Sequence, residues 1–149
     1  MNYRMDIQII NTPLYITVYG FSGAAYNRDY VGKAFQLMDK TWDIVKRENL
    51  QNKGMNIWVY EPDHIVFAGV ELEDVPVEST SLEQKKIELS RYAYYKHIGP
   101  YNLIKDAGAK MIEEIKAQGL ETELPHIEIY GHWVPDESKL ETELLMALK

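Results

Sequence analysis

The chain contains no cysteine, which excludes disulfides, thiol catalysis and cysteine-based metal sites. Positive charge is also scarce: 16 Lys and Arg stand against 23 Asp and Glu, for a formal net charge of −7. Such a surface lacks the basic footprint of nucleic-acid recognition and favours neutral or cationic ligands, so no nucleic-acid contact is expected. The sequence has no apolar run of the roughly 18 residues that a transmembrane helix needs. Its start, Met1-Asn2-Tyr3-Arg4-Met5-Asp6, lacks the apolar segment of a secretion signal. A soluble cytoplasmic protein without membrane contact is the expectation. Gly20-Phe21-Ser22-Gly23 has neither the glycine spacing nor the lysine of a phosphate loop, and Ser22 and Ser138 lack a triad context.

Aromatic side chains, by contrast, are abundant: 11 Tyr, 3 Trp and 3 Phe in 149 residues. Among them lies one carboxylate in an apolar, β-branched setting, Glu128 within His126-Ile127-Glu128-Ile129-Tyr130. A carboxylate withdrawn from water must pair, protonate or face a cavity where a ligand supplies the missing interaction.

The chain repeats one pattern. Asp6 to Tyr19 alternates apolar and polar residues around Asn11-Thr12-Pro13 and predicts a strand ending at Gly20-Phe21-Ser22-Gly23. Val31, Ala34, Phe35, Met38, Trp42 and Val45 then make one helical stripe, with Asp29 as N-cap and an end near Leu50. Two strands follow, Met55–Tyr60 and Ile65–Leu72, joined by the turn residues Glu61-Pro62-Asp63-His64. After an acidic connector, Glu73 to Gln84, the order restarts. Lys86 to Ile98 reads as a strand, and Ile104, Ala107, Gly108, Met111 and Ile115 as a helix that ends at Gly119. His126 to His132 and Thr142 to Leu148 read as two more strands. The chain is therefore expected to be one α+β domain over residues 1–149, built from two β-α-β-β units at about 1–73 and 85–149.

Equivalent positions in the units place Asn56-Ile57-Trp58-Val59-Tyr60 against His126-Ile127-Glu128-Ile129-Tyr130, so that Trp58 mirrors Glu128. Alternation along a strand puts the even-numbered side chains on one face and the Ile and Val positions on the other. The Ile and Val face is expected to pack on the helices. The even-numbered face is expected to line a groove between the halves. His126, Glu128 and His132 share that face, but positions two and six apart lie about 7 and 20 Å apart along a strand. That is too far for one metal, so no metal or cofactor is expected.

The stretch Arg91-Tyr92-Ala93-Tyr94-Tyr95-Lys96-His97-Ile98-Gly99-Pro100-Tyr101, a helix, and then Ile127-Glu128-Ile129-Tyr130 resembles the gyrase-inhibitor-like small-molecule-binding superfamily. Phe67-Ala68-Gly69-Val70-Glu71-Leu72 extends the likeness to the first half. The superfamily also supplies effector domains of multidrug-sensing transcription regulators. The resemblance implies antiparallel curved sheets made of SHS2-type repeats, related by a pseudo-twofold axis, and an aromatic pocket holding a glutamate that matches Glu128. No helix-turn-helix segment precedes the matching stretch, so the free-standing form is expected.

Two functions follow from the resemblance. One is capture of lipophilic, often cationic or planar aromatic small molecules, with Glu128 as counter-charge and Trp58, Tyr95, Tyr130, Phe21, Tyr60 and Tyr19 as candidate contacts. The other is hydrolysis of cyclopropane-containing electrophiles, with Glu128 as general base and Tyr130 or Tyr95 donating a proton. A protein partner bound through the acidic surface is a third expectation, and the chain is expected to be a monomer or weak dimer. Plain structural roles compete at each position. Glu128 also fits an edge carboxylate paired with a cation, Trp58 a core aromatic, Phe21 a staple onto the first helix, and Gly99-Pro100-Tyr101 a turn.

Overall fold

Alternating apolar and polar residues form eight strands in the computed structural model, which describes residues 5–76 and 79–149. The order is β1 (Gln8–Ile10), β2 (Leu14–Ala24), α1 (Tyr30–Arg47), β3 (Asn56–Tyr60), β4 (Ile65–Val70), β5 (Glu83–Leu89), β6 (Tyr92–Ile98), α2 (Ile104–Ala117), β7 (Thr122–Tyr130) and β8 (Glu141–Leu148). Short 3₁₀ turns at Tyr101–Leu103 and Glu137–Lys139 lead into α2 and β8. The strands form one antiparallel sheet in the order β1-β6-β8-β7-β3-β4-β2-β5. The curved sheets expected from the resemblance are its two halves, joined along β7 and β3.

Outward from that junction, β8 and β6 on one side mirror β4 and β2 on the other. The outermost strands cross over. β1 precedes β2 but borders β6, whereas β5 precedes β6 but borders β2. Each half is thus completed by a strand from the other, which extends the expected β-α-β-β unit by one strand. Two of the strands expected from the sequence each combine two of these. Asp6–Tyr19 holds β1 and the start of β2, and Lys86–Ile98 holds parts of β5 and β6, which turn at Ser90 and Arg91 and run to opposite halves of the sheet. Val77 and Glu78 of the expected connector, and Met1–Arg4, lie outside the described residues.

β2 does not end at Gly20-Phe21-Ser22-Gly23; it runs through to Ala24. Gly20 and Gly69 are register partners on β2 and β4. A Cβ on Gly20 would meet the Ala68 carbonyl oxygen at 2.0 Å, and one on Gly69 would meet the Tyr19 carbonyl oxygen at 2.3 Å. These glycines therefore serve close strand approach rather than a turn.

Asp29 caps α1, its Oδ1 accepting from the Gly32 amide at 2.9 Å, which satisfies one of the orphan donors of the first turn. The buried stripe of α1 is Ala34, Leu37, Met38, Thr41, Ile44 and Val45. Val31 and Phe35, expected in the stripe, stand in solvent at 54% and 56% exposure. α2 buries Ala107, Met111 and Ile115. No helix among the described residues is long and apolar enough to cross a membrane.

The two sheet faces are assigned opposite to expectation. Ile57, Val59 and Ile127 pack with Val18, Phe67, Leu89 and Leu145 in a core that contains no helix residue. The sheet curls and buries this face on itself. The even-numbered face carries the helices: Trp58, Val66 and Phe21 pack with α1, and Ala93, Leu144 and Met146 with α2. The physical reason is that a strongly curled sheet is deep enough to fill its own concavity with β-branched side chains. The helices then take the outer face.

Candidate ligand site

α1 packs chiefly on β2 and β4, and α2 on β6, so the junction strands β3 and β7 lie between the two helices. On this face one cross-strand row runs Tyr95, Leu144, Glu128, Trp58, Ala68, Phe21. The antiparallel register pairs Asn56 with Tyr130, Trp58 with Glu128 and Tyr60 with His126. The repeat relates 56 to 126, 58 to 128 and 60 to 130. Both relations hold only if the pseudo-twofold axis passes between Trp58 and Glu128. The residues of the row then fall into symmetric pairs: Phe21 with Tyr95 at its ends, Ala68 with Leu144, and Trp58 with Glu128 at the centre.

Glu128 is held by phenols. The Tyr130 hydroxyl donates to its Oε2 at 2.9 Å, and the Tyr60 hydroxyl lies close enough to act on the same carboxylate. No Lys or Arg among the described residues forms an ion pair with it. Burial pushes the Glu128 carboxyl above the usual carboxylate range, and the two tyrosine hydroxyls pull it partway back. Burial and the neighbouring carboxylate in turn raise both phenols far above the usual tyrosine range, so both remain donors. His126, beside Glu128 on the same strand face, is pushed down by burial, which favours the neutral imidazole.

A cavity of about 140 Å³ opens against Glu128, Tyr60 and His126, walled by Leu144 and Met146 and by Ile104, Lys105 and Gly108 of α2. The carboxylate is also flanked by a run of rings. Trp58 lies 4.8 Å from Tyr130 between centroids. Phe35 meets Trp58 edge-on at 5.3 Å, and Tyr101 meets Tyr130 edge-on at 5.6 Å. Trp58 is 5% exposed, and its indole N–H has no hydrogen-bond partner. Phe35 and Tyr101, at 56% and 40% exposure, form the rim of this run.

Of the residues named from the sequence, Glu128, Trp58, Tyr60 and Tyr130 come together here. Tyr95 and Phe21 share the face but stand two strands away, roughly 9.5 Å at the usual strand spacing. Tyr95 lines a separate groove of about 670 Å³ on the far flank of α2, with Met5, His97 and Leu103. Phe21 is buried under α1 with the Lys40 ammonium 4.0 Å from its ring centroid. Tyr19 is buried toward the β5 edge, where its hydroxyl accepts from Gln84 Nε2 at 2.8 Å. Asn56 is engaged by Trp42, whose indole N–H donates to it at 2.8 Å. His132 lies beyond the end of β7, against Gly54.

Sequence reasoning missed Phe35, Tyr101 and Lys105. Phe35 was assigned to the buried helix stripe, and Tyr101 to a turn. A usable signal for Phe35 was present: it follows Val31 by four residues on the edge of the stripe that borders the groove.

Residues 5–149 match the family described as the GyrI-like small molecule binding domain. No curated protein matches the sequence. Among solved structures, the fold is similar to SAV2435 bound to tetraphenylphosphonium, at 14% identity and TM-score 0.64 over 99% of this chain and 94% of that one. It is likewise similar to the EcmrR C-terminal domain, at 14% identity and TM-score 0.68 over 100% and 99%. A hydrolase from Listeria innocua aligns at 14% identity and TM-score 0.57 over 98% and 93%. At these identities the structures attest to the fold alone. The family match covers nearly the whole chain, and this protein belongs to the GyrI-like small molecule binding domain family.

Proposed function

We propose that this chain captures lipophilic, often cationic or planar aromatic small molecules beside Glu128. The observation that carries this reading is a partly buried carboxylate beside Trp58 and Tyr130 that has phenols for partners and, among the described residues, no cation. A delocalised cation placed there gains the unpaired carboxylate and an aromatic face together, the second worth on the order of 1 to 2 kcal/mol when desolvated. The tetraphenylphosphonium carried by a structural neighbour is a ligand of this kind. Ligand pockets for drug-sized molecules run from roughly 300 Å³ upward, more than the 140 Å³ present here. A large ligand therefore has to part the edge contacts that Phe35 and Tyr101 make.

Hydrolysis is the second reading, favoured by one observation: Glu128 and Tyr130 are in contact at 2.9 Å. A water-activating carboxylate and a phenolic proton donor would then serve the same small volume. The deciding experiment is titration of tryptophan fluorescence with tetraphenylphosphonium and with a cyclopropane-bearing electrophile, followed by mass spectrometry of each small molecule. Saturable quenching with both compounds unchanged supports capture. A ring-opened, hydrated product formed over many turnovers, and lost in Glu128→Gln, replaces capture with hydrolysis.

A further inference from the structure

Two opposite charges line the 140 Å³ cavity without meeting. Glu128 sits on its sheet wall, and Lys105, exposed in the first turn of α2, on its helix wall. Neither forms an ion pair within 4.0 Å among the described residues. Asp106, the acidic neighbour of Lys105 in that turn, lines the groove on the opposite flank of α2. It is therefore not on the cavity side to offset Lys105. His126, the other titratable nitrogen on the cavity, is held toward the neutral form by burial and adds no second cation.

We infer that the preferred small ligand of this cavity is a compact zwitterion, its cationic end on Glu128 and its anionic end under Lys105. The inference rests on Glu128 as the cation acceptor proposed above and adds the second pole. A simple cation gains Glu128 but brings a like charge toward Lys105. Adding an anion at its far end turns that repulsion into attraction, and the N-terminal end of a helix favours an anion over a cation in any case. The walls between the poles, Ile104, Leu144 and Met146, suit an apolar body a few atoms long. The volume restricts the ligand to fragment size.

Benzylammonium and 4-(aminomethyl)benzoate test this, since they share one ring and ammonium and differ by a carboxylate. Both are titrated by calorimetry at low salt into the whole chain and into Lys105→Glu and Glu128→Gln variants. The zwitterion is expected to bind at least about fivefold tighter than benzylammonium. Lys105→Glu, an exposed change that also suits the start of a helix, is expected to reverse that order. Equal or weaker binding of the zwitterion, or an order unchanged in Lys105→Glu, overturns the inference. If Glu128→Gln weakens benzylammonium in that case, the Glu128 reading stands and only the second pole is lost. If Glu128→Gln affects neither ligand, both fall.

Discussion

Trp58 and Glu128 face each other across β3 and β7 at the axis that relates the two halves of the chain. Duplication places equivalent positions side by side there, and the two halves fill them with different chemistry. One supplies a large π-face and the other a carboxylate. A symmetric pair, two tryptophans or two glutamates, would give a plain core contact or an electrostatic clash. The asymmetric pair is the centre of the proposed recognition site.

Trp58→Ala should destabilise the chain by about 3 to 5 kcal/mol, the range for deleting a large aromatic from a core. Trp58 is buried and touches both Phe35 and Tyr130. Trp58→Phe keeps a ring and sacrifices no hydrogen bond, because the indole N–H has no partner. Urea unfolding of both variants checks this: the Phe variant should retain most of the stability that the Ala variant loses.

Stability should respond to Glu128 in a defined pH window. Its folded-state pKa lies above the unfolded value because of burial. Between the two values the folded chain holds a proton that the unfolded chain has released, so stability falls as pH rises through that window. Glu128→Gln should therefore raise Tm relative to the parent at neutral pH. The difference should disappear below pH of about 4, where the carboxyl is protonated in both states. Melting curves from pH 3.5 to 8 measure the crossover.

Tyr130→Phe removes the 2.9 Å hydrogen bond that stabilises the ionised carboxylate. The Glu128 pKa should then rise further, since one of the two groups lowering it is gone. Binding of a lipophilic cation should show a pH midpoint displaced upward from that of the parent. An unchanged midpoint in titrations across pH would detach Tyr130 from the charge state of Glu128.

Gly20→Ala should cost at least about 2 kcal/mol, within the range of severe backbone and overpacking effects. The added methyl would lie 2.0 Å from the Ala68 carbonyl oxygen. Denaturant unfolding reads the loss directly, and a near-neutral effect would mean that β2 and β4 separate there at little cost.

Much of this arrangement was legible in the residues. Helical spacing and Asp29 located α1, and alternation located β3, β7 and β8. The duplication set Trp58 against Glu128, which is also the register of the antiparallel pair. Other features depended on long-range packing that local pattern does not encode. Gly20 resembles a strand terminator until Gly69 is seen beside it. β5 and β6 read as one strand because two residues of turn separate them, and nothing local says that they go to opposite halves of the sheet. The face assignment failed because β-branched residues suit any dry surface, whether it is covered by helices or by the curl of the sheet. Tyr95, Phe21 and Tyr19 share the face of Glu128, but the strands between them are what keep them from reaching it.

The decisive comparison is calorimetric binding of benzyltrimethylammonium and its neutral isostere, neopentylbenzene, to the parent chain and to Glu128→Gln at pH 8. Loss of a partly buried charge partner should weaken the cation at least tenfold, or about 1.4 kcal/mol, while changing the neutral compound by less than twofold. Equal weakening of both compounds, or no weakening of the cation, would show that Glu128 is not the counter-charge of this site.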